Sequence, residues 1–560
     1  MLARPCNVLK LSFHVCVIAF FVDGIEAAES PLFADGFEPV PEVVACPAAP
    51  VSPVAGRCEV ESGDANLVVR SNFATPDVLY QNGELLIDDA GIIQCAACDC
   101  SGTAGYDDAT VLNCPQVLVT PGLINSHEHV TFGGPPANTG TERYDHRHEW
   151  RVGLDDHTKI NAISTGSALQ VFWGEVRQLL GGATSMIGSG GRPGMVRNLD
   201  HLTNRDGLDG PLVTTDTFPM GDASGTMITS SCEYNSTPAP DPGEVYQAHF
   251  AEGVGLAARN EWLCGSGALQ GMDAELPGPS LVHGIALTAA DIPSLQSARA
   301  TVVWSPRSDI MLYGMTAPVS LLAGQGINLA LGTNWSITGS MNMLREFSCA
   351  NQHNQNGLNS YFSAQDLLKM ATSNAADAAG VGDRLGKLAP GYVADLTFFD
   401  ASVRTGFAAA TEAITEDIVL VLKGGMPLFG DGAVVDGLSA VPDACEPIGE
   451  GSGCLFERSL CLLRETGYTY NQLLNTFNGM AQLYACEGTP AVEPSCTAAR
   501  NEGDGIVYTG IPTLADSDGD GVPDVSDNCP LIFNPPRPVD DFQQADGDND
   551  GIGDVCDPQP

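Results

Sequence analysis

The sequence predicts an α/β chain built around a TIM-like (β/α)8 barrel, and three observations carry that prediction. Short apolar runs alternate with helical stretches across residues 121–385. Eight such runs can be counted, enough to close a barrel of this kind. Strand-like runs flank the region at 64–120 and 386–440, and they read as two halves of one small composite β-sandwich. At 560 residues the chain exceeds one ordinary core, so a barrel of roughly 250 residues plus smaller modules fits its length.

Taken in order, residues 1–28 hold a basic start (Arg4, Lys10), an apolar run at 11–22 broken by His14, and the small residues Ala27 and Ala28. This is the pattern of a secretory signal. No later stretch reaches the roughly 18 to 20 apolar residues needed to span a bilayer, so no membrane span is expected. Residues 29–63 are rich in Pro, Ala and Glu without periodicity and read as a linker. The first half-sandwich shows runs at 67–70, 84–87, 91–94 and 116–120. Cys95, Cys98, Cys100 and Cys114 lie in it; their spacing suits zinc in a reducing compartment, but in an exported chain disulfides are the natural reading. The barrel strands are expected at 118–125, 183–187, 195–197, 212–216, 245–249, 280–283, 301–304 and 327–331. Runs at 394–399 and 418–423 mark the second half-sandwich. Residues 444–510 form a Cys-rich, partly helical segment in which no chemistry is evident. The last segment, 511–560, carries twelve Asp, no Glu and one basic residue, Arg537.

The formal charge of -44, from 69 acidic and 25 basic residues, excludes nucleic acid and anionic membranes as natural partners and favours cation binding. Once Cys6 and Cys16 leave with the signal, sixteen cysteines remain, an even number gathered mostly at 46–114 and 445–556. Disulfides stapling the flanking modules, and a secreted or cell-surface location, follow from that usage. A cell-surface or homo-oligomer contact belongs to the same expectation.

The chemistry gathers on histidine. Val-Thr-Pro-Gly-Leu-Ile-Asn-Ser-His-Glu-His, ending at His129, is an apolar strand that finishes in two histidines spaced by two. On a strand that spacing turns both imidazoles to one side, here at the carboxyl end where barrel sites lie. His249 ends the run Val-Tyr-Gln-Ala-His and precedes Glu252 by three residues, and His283 ends Ser-Leu-Val-His. Four histidines at strand ends form the start of a metal site. His146 and His148 repeat the spacing among Tyr144, Asp145, Arg147, Glu149 and Arg151 with no apolar strand before them. They read as a solvated or substrate-facing loop, in which Arg143, His146, His148 and Arg151 are available to an acidic or carbonyl-bearing group.

The segments TPGLINSHEH, HFAEG, LVHG and LGTNW, in this order, resemble the amidohydrolase superfamily in its mononuclear branch of deaminases and chlorohydrolase-like proteins, over residues 64–438. The resemblance implies a metal-dependent hydrolase acting on carbon-nitrogen bonds, other than peptide bonds, of a small-molecule substrate. It implies His127, His129 and His249 as ligands of zinc or another divalent transition metal. Glu252 becomes the proton shuttle, and His283 stands by the metal's water or the substrate oxygen. Binuclear members add a carboxylated Lys near the fourth strand. The five lysines here stand at 10, 159, 369, 387 and 423, so one metal per chain is expected. One departure stands out. Asn334 occupies the position of the family's catalytic Asp, and an amide takes up no proton at ordinary pH. Either Asp309, in Ser-Pro-Arg-Ser-Asp, or His283 would then supply the base, unless Asp309 merely caps the following turn. The alternative is a catalytically impaired scaffold that serves as a secreted calcium-binding surface or adhesion protein.

Calcium enters through the tail. Asp516, Asp518, Asp520, Gly521, Asp524 and Asp527 recur 30 residues later as Asp546, Asp548, Asp550, Gly551, Asp554 and Asp557. Alternating carboxylates followed by Gly wrap oxygen atoms around calcium. With no Glu at the twelfth position, the pattern resembles thrombospondin type 3 repeats rather than an EF-hand. That resemblance implies calcium ions held by these Asp side chains and a disulfide between Cys529 and Cys556.

Overall fold

Eight short parallel strands follow one another through the middle of the chain in the computed structural model. It describes residues 42–560 apart from short stretches, the longest being 440–444, 450–456 and 502–505. The strands are β1 (Leu123–Asn125), β2 (Ala183–Met186), β3 (Arg197–Asn198), β4 (Val213–Asp216), β5 (Val245–Phe250), β6 (Ser280–His283), β7 (Thr301–Trp304) and β8 (Asn328–Leu331). β1 to β3 form one parallel sheet and β4 to β8 another, each in sequence order. The Val213 amide donates to the Leu199 carbonyl at 3.1 Å between the two sheets, and a parallel bridge pairs Glu128 with Asn334 beyond β1 and β8. Strands β5, β6 and β7 are buried along their whole length, as parallel strands covered on both faces must be. Helices intervene, among them Ala168–Leu179, capped by Ser167 and Gln170, and Leu256–Leu269.

The run expected at 118–125 is divided between two sheets. Its first half ends the long strand Ala109–Pro121 and its second half is β1. The switch falls at Gly122, where a Cβ would lie 2.2 Å from the Thr184 hydroxyl oxygen, so only glycine fits.

The flanking strands are hydrogen-bonded into one eleven-stranded mixed sheet. The reason is the length of Ala109–Pro121. It pairs with Glu59–Glu61 along its first half, with Leu396–Asp400 along its second, and with Asp64–Ala74 on the other edge. Val69, Leu85, Val119, Phe398 and Leu420 share the resulting core. The linker reading of 29–63 is also corrected: Glu42–Ala45 and Glu59–Glu61 are strands of this sheet. The disulfides Cys46–Cys98 and Cys58–Cys114 fasten them, a constraint that composition does not reveal. The remainder of the signal and linker readings, through residue 41, lies outside the described residues.

Disulfides reach beyond the flanking modules. Besides Cys95–Cys100, Cys445–Cys461 and Cys529–Cys556, the bridges Cys232–Cys264 and Cys349–Cys496 involve the middle of the chain. The Cys-rich segment is built onto its neighbours, with Glu446–Ile448 and Arg458–Leu460 extending the large sheet. Among the described residues no helix is long and apolar enough to cross a membrane.

Candidate functional site

His127 and His129 follow β1, His249 lies in β5, His283 ends β6, and Asn334 stands three residues beyond β8. One nitrogen from each of His127, His249 and His283 lies within 4.8 Å of the others. The His129 ring is 4.6 Å from that of His127 and 5.6 Å from that of His249, centroid to centroid. Nε2 of His127, Nδ1 of His249 and Nε2 of His283 are buried without a hydrogen-bond partner. Leaving a buried polar atom unpaired costs about 1–3 kcal/mol. Three ring nitrogens this close together are a donor set that fits a transition metal ion. Glu128, between the two histidines, points to the opposite side as strand alternation requires. It is held there by Arg177 at 3.3 Å and Gln178 at 2.9 Å.

A second layer orients the imidazoles. Gln247 Oε1 lies 3.4 Å from His127 Nδ1 while its amide donates to the Ser126 carbonyl at 2.9 Å. Asp309 Oδ1 takes His283 Nδ1 at 2.7 Å and its other oxygen takes the Thr316 hydroxyl at 2.8 Å. Both oxygens are thus spent on side chains, and the turn-capping reading of Asp309 is corrected. Glu252 Oε1 accepts from the Tyr313 hydroxyl at 2.8 Å and lies 3.6 Å from His283 Nε2. Asn334 Nδ2 donates to Ser308 Oγ at 2.7 Å, and its backbone exchanges hydrogen bonds with His127 and His129 at 2.9 and 2.7 Å. Ala251, His283 and Asn334 all have left-handed backbones, with φ of 53°, 74° and 63°. Non-glycine residues held there mark sites whose surroundings over-determine them.

Electrostatics divides the histidines. Burial, then the neighbouring imidazoles, holds His127 and His249 well below the ordinary value and His129 down to about 4. Burial also opposes charge on His283, yet Glu252 and Asp309 raise it above the ordinary range. Glu252 is pushed up by burial but held low overall by His283, Arg147 and the Tyr313 hydroxyl. The result is three neutral rings beside an ionised carboxylate.

The second histidine pair is not a solvated loop. Arg147 opens the helix Arg147–Val152, and His146, Arg147 and His148 are buried. Arg147 Nη2 reaches Asp222 Oδ2 at 2.5 Å and Glu261 Oε1 at 3.1 Å, while His146 Nε2 meets Glu261 at 3.1 Å and His148 Nε2 meets Asp222 at 2.7 Å. The buried charge is neutralised by carboxylates far away in sequence, which is why local composition misread it. Of the other two arginines, Arg143 donates to the Ala499 carbonyl at 3.0 Å, and Arg151 donates to the Ala223 carbonyl and to His148 Nδ1. Gln247, Tyr313 and the Glu128 anchor were missed by motif reading. Only their neighbourhood to the motifs could have flagged them.

In the tail, oxygen atoms of Asp516, Asp518 and Asp520 lie within 4.8 Å of one another, and those of Asp546, Asp548 and Asp550 do likewise. Burial, then Asp520, pushes Asp518 up to about 8. The other four aspartates hold the loops themselves. Asp524 accepts from the Ser517 amide at 2.7 Å, Asp527 from Cys529 at 2.7 Å, Asp554 from Gly547 at 2.6 Å and Asp557 from Gln559 at 2.7 Å.

Residues 249–430 match the model of the amidohydrolase family, and residues 515–537 that of the thrombospondin type 3 repeat. Both resemblances read from the motifs thus hold over these residues. Among curated proteins it is similar to 5-methylthioadenosine/S-adenosylhomocysteine deaminases. The one from Syntrophobacter fumaroxidans is 36% identical over 130 residues, 22% of this chain and 30% of that protein. That from Pyrococcus furiosus is 32% identical over 158 residues, 27% and 37% respectively. The chain thus spans between 30% and 37% of the length of these relatives. Among solved structures, a zinc-bound adenosine deaminase from Xanthomonas campestris has a TM-score of 0.45 at 16% identity, over 64% of this chain and 92% of that one. A zinc complex of atrazine chlorohydrolase from Arthrobacter aurescens has a TM-score of 0.45 at 18% identity, over 65% and 95%.

Proposed function

We propose that this protein is a metal-dependent hydrolase of the amidohydrolase or deaminase type, acting on a carbon-nitrogen bond of a small molecule. The observation that carries the reading is the convergence of ring nitrogens of the buried His127, His249 and His283 within 4.8 Å, beside the Glu252 carboxylate. His127, His129 and His249 would hold one zinc or similar divalent ion, the His129 ring lying 4.6 and 5.6 Å from the other two, and His283, the third member of the close trio, would face the ion's water. Such an ion lowers the pKa of a bound water toward neutrality. Glu252, fixed by Tyr313, accepts a proton and passes it to the leaving nitrogen. Asp309 fixes the Nδ1 side of His283 and Nε2 faces Glu252; both carboxylates favour the charged imidazole, so His283 would serve as a proton donor and Glu252 as the group that takes up the proton Asn334 cannot. On this reading the hydrogen bonds between β3 and β4 and between the ends of β1 and β8 close the eight strands into a barrel. Residues 511–560 form a calcium-binding tail, and seven described disulfides support a secreted or cell-surface location.

Metal analysis of the purified, calcium-stripped protein beside its His127→Ala variant tests the reading. About one zinc per chain, lost in the variant, is the expected result. Aminated purine nucleosides then head the substrate screen, because the curated relatives are named for such substrates. No transition metal after reconstitution would leave a calcium-binding scaffold as the account.

A further inference from the structure

The acidic tail is docked beside the histidine site through its one basic residue. Arg537 Nη1 donates to the carbonyls of Ile285 at 2.8 Å and Leu287 at 3.3 Å, two and four residues beyond His283. The guanidinium is braced by Asp540, Nε to Oδ2 at 2.5 Å and Nη2 to Oδ1 at 3.1 Å. The neighbouring Val539 amide donates to the Val254 carbonyl at 3.1 Å, two residues beyond Glu252. One short turn of the tail thus grips both loops that carry the candidate proton-transfer residues. Arg537 is buried, so the fork is desolvated and its geometry is fixed.

That turn is in turn fastened to the first acidic loop. Asp520 Oδ2 accepts from the Asn534 amide at 3.3 Å and from Gln544 Nε2 at 2.9 Å, on the two sides of Arg537. Gln544 also donates to Asp527 Oδ1 at 2.8 Å. The loop itself is prepared for a cation by more than its charge. Asp518 is 1% exposed, and its Oδ2 is buried with no hydrogen-bond partner, in the cluster it forms with Asp516 and Asp520. A carboxylate so buried is destabilised until a cation joins it. On loss of such a cation, repulsion among Asp516, Asp518 and Asp520 would act on Asp520 and, through it, on both anchors of the Arg537 turn.

We propose that Arg537 is a positioning residue for Glu252 and His283, and that a cation held by Asp516, Asp518 and Asp520 sets its grip on their loops. The inference rests on the reading of the histidine site as catalytic, but its test does not. Full-length, zinc-supplemented protein is followed by hydrogen exchange with and without calcium, at the amides of Val254, Gly284, Ala286 and Leu287. These amides donate to Asp145, Phe250, Ala251 and Gly284 at 2.9 to 3.2 Å, so their exchange reports loop opening. Calcium is expected to slow it by about tenfold or more in the wild type. Arg537→Ala should abolish that difference while the tail still binds calcium by calorimetry, and Arg537→Lys should restore part of it. Asp518→Asn should lose calcium binding and protection together. Equal exchange with and without calcium, or calcium-dependent protection that survives Arg537→Ala, overturns the inference. Zinc content measured on the same samples keeps the two readings apart: a zinc-free histidine site with calcium-dependent loops removes the enzyme reading and leaves the grip of Arg537 in place.

Discussion

His127, His249 and His283 each keep one buried ring nitrogen without a partner, whereas His146 and His148 have all four ring nitrogens engaged. Each group includes at least one histidine of a His-x-His pair, the histidines named are buried, and both groups lie beside Glu252 or its backbone. What separates them is the residue in the middle. In the second pair that residue is Arg147, a permanent cation standing between Asp222 and Glu261 where an ion would otherwise go. In the first it is Glu128, which turns away to Arg177 and leaves the imidazoles facing one another. Spacing brings histidines together, but the charge already present decides whether they have room for a metal.

Arg147→Met should give the largest effect. It strips the cation from two fully buried carboxylates, and breaking a buried pair by removing one partner costs about 3–5 kcal/mol. Urea denaturation of metal-stripped protein measures it, beside His127→Ala, which removes a ring that already has an unpaired nitrogen and should lose far less. Similar losses in the two variants would erase the distinction drawn between the clusters.

The next effect is a pH dependence. Burial first, and Arg147 next, hold His146 down to about 3. A histidine depressed in the folded state binds its proton more readily when unfolded. His146 therefore destabilises the fold progressively as the pH drops from about 6.5 toward 3, by at most about 1.4 kcal/mol per pH unit. The stability of the wild type relative to a His146→Gln variant should fall along that range and stay flat above it. A flat difference throughout would mean that the fold leaves the proton affinity of His146 unchanged.

Much of the fold was legible because buried parallel strands are apolar runs and the connecting helices are amphipathic. β5 to β8 fall within a residue of the expected runs. The pairs and their carboxylates were less so. Arg147 looks like part of a solvated stretch until Asp222 and Glu261, 75 and 114 residues away, come to meet it. The strands at 42–45 and 59–61 hide in Pro- and Ala-rich sequence because cystines, not hydrophobic periodicity, hold them. The lone Arg537 did stand out in composition, but its targets are backbone carbonyls, which carry no sequence signature.

The smallest effect concerns Asn334, and it sharpens the comparison from the other side by adding a further carboxylate to the first cluster. Asn334→Asp replaces an amide donor facing Ser308 Oγ with a carboxylate. The Ser308 hydroxyl can answer by turning to donate, since it also contacts the Thr338 hydroxyl at 2.7 Å and can accept from it. Thr338 in turn keeps accepting from the Trp335 indole. The local hydrogen bonds can therefore be conserved with their directions reversed, although the added charge is buried and disfavours the metal-free fold. Zinc retention should nevertheless rise by about tenfold, or about 1.4 kcal/mol, because the first anionic donor joins three neutral imidazoles. Competition against a chromogenic chelator at fixed pH measures it. Unchanged affinity would show that position 334 does not face the ion, and that the amide there is no impairment.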